Sequence, residues 1–299
     1  MRPPSPCSSA GGDCRWHGRA PGATLRLEVS PIRVDYHIHT RFSVDSQSSP
    51  ARCCLAARQA GVEEICFTDH LDVHPVDPGF GYFDPGGYSR AVTAVAGFPG
   101  VSVRLGLEVG FDRRSHADLL AYLEAHPLPL DFVLGSVHVV EDRLLDTFLL
   151  SAGNHEPAIS AYLDEVEAAV RAAASHRLFD VLGHLDVFKR YLPGGHGRSR
   201  LARFQDRIDS ILELAAAGGV GLEVNTSGLR NRLGETLPAL EVVRRFRELG
   251  GEILTVGSDS HREGDVGAGI DAALDIARAA GFRAITVFRQ RQPAWVDIV

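Results

Sequence analysis

The feature that most constrains this chain is the regular alternation of short apolar runs with longer amphipathic segments along most of its length. The apolar runs predict strands and the segments between them predict helices. Strands that alternate with helices form a mainly parallel sheet, and seven or eight such units favour a closed barrel over an open sheet. The predicted strands are 32–37, 64–68, 101–109, 132–138, 179–184, 220–225, 253–259 and 284–288, and the predicted helices are 50–60, 88–96, 115–125, 157–175, 201–217, 237–249 and 270–280.

Length and composition allow one large domain. The chain has 299 residues, of which 44% are hydrophobic and 23% charged, and no Gly-rich linker divides it. We expect an α/β barrel over residues 31–299, preceded by a disordered extension at residues 1–30 that lacks the apolar core of a secretory signal. No apolar run reaches the ~20 residues that span a bilayer, so we expect a soluble, cytoplasmic protein without a membrane partner.

Charge and cysteine content indicate which kinds of partner and which state of the thiols to expect. A formal net charge of −7, with no long basic run, argues against a nucleic-acid partner held by a basic surface. The five cysteines are an odd number without paired CxxC spacing, which is typical of reduced thiols. We therefore expect a small-molecule partner, and the sequence leaves the oligomeric state open.

Most of the predicted strands end in, or run directly into, residues that bind metal ions. His37 and His39 lie two positions apart on the first strand, so both imidazoles point to the same side. In a parallel barrel the strand C-termini converge on one face, and six histidines with three carboxylates there exceed what one ion takes. The sequence thus predicts two or three ions bound by His37, His39, Asp45, His70, Glu108, His138, His184, Asp259 and His261. We expect the other seven histidines to lie on the surface or on helices: His17, His74, His116, His126, His155, His176 and His196.

The motifs that carry these residues resemble, in order, those of the PHP (polymerase and histidinol phosphatase) superfamily. The resemblance covers about residues 32–290, and the stretches 180–191 and 223–230 are similar to the histidinol-phosphatase branch. It implies a distorted (β/α)7 TIM-like barrel with a trinuclear metal site. The matching motifs are His37-Ile-His39, Thr68-Asp-His70, Gly106-Leu-Glu108, Gly135-Ser-Val-His138, Gly183-His184 and Ser258-Asp259-Ser-His261.

By position, the resemblance implies how nine ligands divide among three divalent ions of zinc, manganese or iron. One ion is expected at His37, His39, Glu108 and Asp259. Glu108 would bridge to a second ion at His138 and His184, and the third would lie at Asp45, His70 and His261. Some family members have histidine in place of Asp45, and a carboxylate there favours a harder ion such as manganese or iron.

The implied activity is hydrolysis of a small phosphate monoester, with L-histidinol phosphate of histidine biosynthesis as the expected substrate. A metal-bound, bridging hydroxide is the expected nucleophile, with the ions neutralising developing charge. Arg230 and Lys189, which follow strand ends, are predicted to bind the phosphate. Asn225 and Ser227 are predicted substrate contacts, and the aromatic and acidic loop (Asp77, Phe80, Tyr82, Phe83, Asp84, Tyr88) is a candidate lid that binds the cationic substrate.

Two other functions remain open at this stage. A phosphoesterase of the same superfamily could act on nucleotides or nucleic-acid ends, although the acidic charge weighs against it. A catalytically silent module that only binds metal would be expected to have lost ligands, whereas all nine positions are occupied here. Asp186 and Glu223, which lie near strand ends, are candidates for relaying protons, and no donor to the leaving alcohol is identified.

Overall fold

Seven parallel strands, each followed by helical or irregular chain, form the sheet on which the rest of the molecule packs. In this computed structural model, which describes residues 32–192 and 201–298, the strand order is β1-β2-β4-β5-β8-β9-β10. These strands are β1 (Val34–Ile38), β2 (Glu64–Phe67), β4 (Ser102–Gly110), β5 (Phe132–Ser136), β8 (Val181–Leu182), β9 (Gly221–Asn225) and β10 (Leu254–Gly257). The two-residue strand β3 (His70–Leu71) extends the sheet beside β4.

The sheet nearly closes into a barrel between β1 and β10. A parallel bridge joins Ile38 to Ser260, with His39 N donating to the Ser260 carbonyl at 2.9 Å. Most of these strands are buried along their full length, as expected where helices cover the outside and side chains fill the inside. The predicted single-domain (β/α)7 barrel is therefore confirmed. The predicted extension at residues 1–30 lies outside the described residues, as do Cys7, Cys14, His17 and His196.

The first two helices begin at capping signals that the sequence carries. Ser49 caps α1 (Pro50–Gln59), with Pro50 in the first turn, and Gly61 follows it at φ 69°. The second helix begins before the predicted Tyr88, because the Asp84 side chain accepts from Gly87 N and Pro85 opens the helix. This second helix is α2 (Pro85–Thr93). The helices after it are α3 (His116–Ala125), α4 (Leu145–Leu150), α5 (His155–His176), α6 (Gln205–Ala217), α7 (Leu240–Glu248) and α8 (Ile270–Ala279).

The last predicted strand does not join the barrel. The strand β11 (Ala284–Arg289) pairs antiparallel with β12 (Gln292–Asp297), and the turn between them covers the N-terminal end of the barrel. There Arg291 N donates to the Asp131 carbonyl and the Arg291 guanidinium pairs with Asp180, just ahead of β5 and β8. A second short hairpin, β6 (Val139–Val140) with β7 (Arg143–Leu144), lies at the opposite end beside α4.

The described part of the chain contains no helix long and apolar enough to cross a membrane. Its three cysteines, Cys53, Cys54 and Cys66, are buried free thiols.

Candidate metal centre

The C-terminal ends of the strands surround a cavity of about 420 Å³. His37 and His39 lie beneath it with no exposed surface, at the end of β1. The other candidate ligands reach the cavity wall from the C-terminal ends of strands or from the loops that follow them, as the barrel topology requires. Those that line it are Asp45, His70, Glu108, His138, His184, Asp259 and His261.

Glu108 lies at the centre of this cluster, and its two carboxylate oxygens face different histidines. Oε2 is 3.0 Å from His37 Nε2 and 3.3 Å from His70 Nδ1. Oε1 is 3.0 Å from His184 Nε2 and 3.4 Å from His138 Nε2. One carboxylate therefore touches two sets of imidazoles at once, which is the geometry that a bridging ligand needs.

A second group of side chains, from Asp45, His70 and His261, surrounds the ring of His39. The Asp45 carboxylate lies 2.9 Å from His261 Nε2 and 3.8 Å from His70 Nε2. The His39 ring stacks on that of His261, with centroids 4.1 Å apart, and lies 4.4 Å from that of His70. On the remaining side, Asp259 Oδ1 is 3.5 Å from His39 Nε2. All nine predicted ligands thus belong to one continuous cluster.

The local charges set the protonation states of these groups. Burial favours the neutral acid, but the charges of His37 and His70 outweigh it and hold the pKa of Glu108 well below its usual value. The pKa of Asp259 is likewise held low, by His37 and His39 against burial. Burial and the neighbouring imidazoles of His261 and His70 lower the pKa of His39 well below normal. Ionised carboxylates and a neutral imidazole are the forms that bind metal ions.

The donor set fits divalent metal ions. His39 Nε2, His70 Nδ1 and His184 Nδ1 are buried without a hydrogen-bond partner among the described residues, a costly state for a polar atom. Ligand atoms come within 4.8 Å of one another in several groups, which share His37, His39, His70, Glu108 and His138. These groups are His39/Asp45/His70/His261, His37/His39/Asp259, His37/Glu108/His184, His70/Glu108/His138 and, beyond the predicted set, Asp72/Asp77/His138.

Two of the candidate ligands have unusual backbone conformations. His184 has φ 22° and Asp259 has φ 54°, both in the left-handed region that residues other than glycine rarely adopt. Such strain persists only where surrounding contacts impose it, and it concentrates at functional sites. Both residues direct their side chains toward the cluster.

Side chains outside the predicted ligand set hold the imidazoles in place. Ser43 Oγ lies 3.1 Å from His39 Nδ1 and donates to Asp69, which also accepts from the backbone and hydroxyl of Thr40. Ser136 Oγ donates to Glu108 Oε1 at 2.6 Å. Sequence reasoning missed these supports, because a serine or aspartate beside a ligand motif carries no signal of its own.

Lys189 does not line the cavity, contrary to its predicted phosphate contact. Its ammonium is fully buried and pairs with Asp186 and Glu235 behind the cavity wall. The next residue, Arg190, lines the cavity instead. In the 3-10 segment Val187–Tyr191 successive side chains point about 120° apart, so neighbouring residues face different surroundings.

The aromatic loop is also placed differently from the prediction. Tyr88 is completely buried and its hydroxyl lies 2.8 Å from the Gly106 carbonyl and 2.9 Å from that of Phe67, so it cannot contact a substrate. Tyr82 is 46% exposed, its hydroxyl donates to the Arg41 carbonyl, and it does not line the cavity. Of the loop residues named as a lid, Asp77 alone lines the cavity formed by the described residues.

The segment after β9 supports the cavity from behind. Arg230 Nη2 donates to the carbonyls of Ser258 and Asp259 at 2.6 and 3.2 Å. Asn225 is buried and directs its amide toward Glu223 and Asp259, and its carbonyl accepts from Ser227. None of Asn225, Ser227 and Arg230 lines the cavity in the described structure, so their substrate contacts stay predictions.

Comparison with known proteins agrees with this architecture. The PHP domain family model matches residues 35–227. The histidinol-phosphatase of Lactococcus lactis is 28% identical over 260 residues, covering 86% of this chain and 94% of that protein. The probable histidinol-phosphatase of Deinococcus radiodurans is 31% identical over 273 residues, covering 86% and 97%.

A solved structure is similar over nearly the same length. The crystal structure of histidinol phosphate phosphatase from Lactococcus lactis, complexed with zinc, L-histidinol and phosphate, matches with a TM-score of 0.79 and 27% identity. The match covers 88% of this chain and 98% of that one. The family predicted from the sequence motifs is confirmed, and the chain belongs to the PHP domain family.

Proposed function

We propose that this protein is a metal-dependent phosphoric monoester hydrolase that converts L-histidinol phosphate to L-histidinol and phosphate. The observation that carries the proposal is the near full-length similarity to the Lactococcus lactis enzyme whose structure holds zinc, L-histidinol and phosphate. The histidine and carboxylate cluster of this chain lies at the barrel end where such folds place their chemistry. Histidine biosynthesis in the cytoplasm is the setting that this activity would serve.

The nine clustered residues would hold two or three divalent ions, with zinc as the ion that the related structure contains. Glu108 would bridge, because its two oxygens face separate sets of imidazoles. His39, Asp45, His70 and His261 form a four-residue group of their own. Bound ions would supply Lewis-acid stabilisation of the phosphoryl oxygens and a lowered pKa for coordinated water.

Arg190 is the residue of this chain best placed to bind the phosphate. Its guanidinium lines the cavity 3.7 Å from Asp259 Oδ2, and Nη2 donates to Ser227 Oγ at 2.5 Å. A guanidinium that is held in place and lines the cavity beside the metal cluster suits a phosphate oxygen.

The acidic part of the cavity lining suits a cationic alcohol. Asp72, Asp77 and Asp146 line the cavity, and burial together with the charge of Asp72 raises the pKa of Asp77. Histidinol carries an ammonium and an imidazole, which these carboxylates would attract. The apolar residues Leu144 and Leu145 also line the cavity, and the imidazole ring would pack against them. The acidic lining disfavours nucleotides and nucleic-acid ends, which carry further phosphate charge.

A substrate panel tests the proposal. The zinc-loaded protein is assayed for phosphate release from L-histidinol phosphate, nucleoside monophosphates and a 5′-phosphorylated oligonucleotide, with chelator-treated protein as the control. We expect turnover of L-histidinol phosphate, with kcat/KM at least tenfold above that for each nucleotide substrate, and loss of turnover after chelation. Faster hydrolysis of a nucleotide would overturn the substrate, and release that survives metal removal would overturn the metal dependence.

A further inference from the structure

Glu223 connects two candidate metal ligands that come from different strands. It lies on β9, is 1% exposed, and its Oε1 is 2.6 Å from His37 Nδ1 at the end of β1. Its Oε2 accepts from the backbone N–H of His184, just after β8, at 2.9 Å. Oε2 also accepts from Asn225 Nδ2 at 3.2 Å. Both carboxylate oxygens are thus occupied by groups that belong to, or support, the metal cluster.

The contact with His37 fixes which ring nitrogen carries hydrogen. A carboxylate oxygen at 2.6 Å can only accept, so Nδ1 of His37 bears the proton. In the neutral ring the lone pair is then on Nε2, which faces Glu108 Oε2 at 3.0 Å and Asp259 Oδ1 at 3.8 Å. Nε2 directed at two ionised carboxylates needs a cation between them, which is the second proton of the imidazolium in the metal-free protein and would be a metal ion in the loaded one.

The contact with His184 holds a strained backbone. At φ 22° this residue needs contacts that impose its conformation, and the charge-assisted bond from its N–H to Glu223 is one of them. The same conformation brings His184 Nε2 to 3.0 Å from Glu108 Oε1. Glu223 therefore supports imidazoles that face each of the two oxygens of Glu108.

The space around this carboxylate is closely filled. A Cβ atom on Gly257, at the end of β10, would lie 2.4 Å from His37 Cβ and 2.6 Å from Glu223 Oε1. Glycine at this position lets the backbone of β10 approach the pair. The carboxylate consequently has little room to move, and its two contacts are held together.

We propose that Glu223 is a positioning residue that sets the metal affinity of the centre by fixing the tautomer of His37 and the backbone of His184. It is not a member of any candidate ligand group among the described residues. The inference rests on the proposed metal centre and assigns Glu223 a role distinct from proton relay. Outer carboxylates that orient ligating histidines commonly change metal affinity by about 10–100-fold when replaced.

The test compares two Glu→Gln variants by zinc affinity, measured with a competing chelator and no substrate present. Glu223→Gln keeps the shape but leaves one acceptor oxygen where N–H groups approach both carboxylate oxygens, so we expect zinc affinity to fall by about 10–100-fold. Glu64→Gln is the matched control, because Glu64 is also buried but binds Tyr36, Arg104 and Arg289 at the other end of the barrel. We expect the Glu64→Gln variant to bind zinc with wild-type affinity.

Activity at saturating zinc separates positioning from catalysis. We expect Glu223→Gln to regain kcat to within a few fold of wild type once zinc occupancy is restored. Wild-type zinc affinity in Glu223→Gln, an equal loss in Glu64→Gln, or a severe loss of kcat at full occupancy would each overturn the proposal. Because zinc binding is measured without substrate, failure to hydrolyse L-histidinol phosphate would overturn the proposed function and leave this inference standing.

A milder variant covers the case in which Glu223→Gln does not fold. Glu223→Asp keeps the charge but is one methylene shorter, so its carboxylate cannot span both His37 Nδ1 and His184 N. We expect zinc affinity between those of wild type and Glu223→Gln, or a loss of at least several fold where only the aspartate variant folds. Unchanged zinc affinity in Glu223→Asp would overturn the proposal.

Discussion

Lys189 Nζ lies 2.7 Å from Asp186 Oδ2, and both side chains are completely buried. Glu235 Oε1 accepts from the same ammonium at 2.8 Å. The Lys189–Glu235 pair joins the segment that carries Arg190 to the loop after β9, and the two carboxylates together occupy the ammonium, so this lysine is not available to a substrate. Burial raises the pKa of the Asp186 carboxyl and the positive charge of Lys189 lowers it. Burial has the larger effect, so the pKa is raised.

Replacing Lys189 by methionine should destabilise the fold without removing metal. The change leaves Asp186 buried without its countercharge, which costs about 3–5 kcal/mol in the free energy of unfolding. Urea unfolding of the zinc-loaded protein measures this, with Arg171→Met, which removes an exposed pair to Glu167, as a control worth about 0.5 kcal/mol or less. Unchanged stability together with weaker inhibition by phosphate would instead support the phosphate contact that the sequence predicted for Lys189.

Arg190→Gln should weaken phosphate binding and leave the metals in place. Loss of charge-assisted hydrogen bonds worth about 1.5–3 kcal/mol corresponds to roughly a 10–100-fold weaker inhibition by inorganic phosphate. Zinc content per chain should match wild type, because Arg190 touches only Asp259 among the candidate ligands, at 3.7 Å. The matched control is Arg143→Gln, at an exposed site paired with Glu141. Wild-type inhibition by phosphate in Arg190→Gln would contradict the assignment.

Arg230→Ala distinguishes a phosphate ligand from a support of the metal loop. Arg230 donates to the carbonyls of Ser258 and Asp259, and Asp259 is held at φ 54°. We therefore expect both turnover and zinc occupancy to fall, since the loop that carries Asp259 loses the hydrogen bonds from Arg230. Turnover that falls while zinc content stays at the wild-type level would favour the direct phosphate contact predicted from the sequence.

The barrel was predictable because its determinants are local. Buried parallel strands are continuous apolar runs, and capped helices between them carry Ser, Asp and Pro signals that can be read one element at a time. The strand β12 (Gln292–Asp297) has no such run and lies half exposed, so the hairpin at the end of the chain was not predicted. Strands as short as Val139–Val140 are likewise below what periodicity can resolve.

The cluster of candidate ligands was predictable for a different reason, since topology alone brings strand ends together. Which neighbouring residue faces the cavity depends on side-chain direction, which the sequence does not show. Lys189 and Arg190 are adjacent cations with opposite surroundings, and Tyr82 just before α2 is exposed whereas Tyr88 within α2 is buried. Tertiary packing determines which residue of each pair is buried and which is exposed or faces the cavity.

Zinc affinity should rise with pH, because protons occupy some of the imidazoles in the metal-free protein. Burial lowers the pKa of His261, but the hydrogen bond and charge of Asp45 and the charge of Asp259 raise it to about 9. A group whose pKa is raised stays protonated below that value, so zinc must displace its proton throughout the range from pH 6 to 8. Each displaced proton makes the apparent affinity rise about tenfold per pH unit.

The variant Asp45→Asn tests the cause of this pH dependence. Asparagine removes the negative charge beside His261, so the pKa of the imidazole should fall toward or below its usual value and its proton should compete less with zinc. We expect weaker absolute affinity, since a candidate ligand changes, and a shallower rise between pH 7 and 8 than in wild type. Competition with a chelator of known proton affinity at pH 6, 7 and 8 measures both profiles. A flat wild-type profile, or an equally steep one in Asp45→Asn, would show that protonated His261 does not compete with the metal.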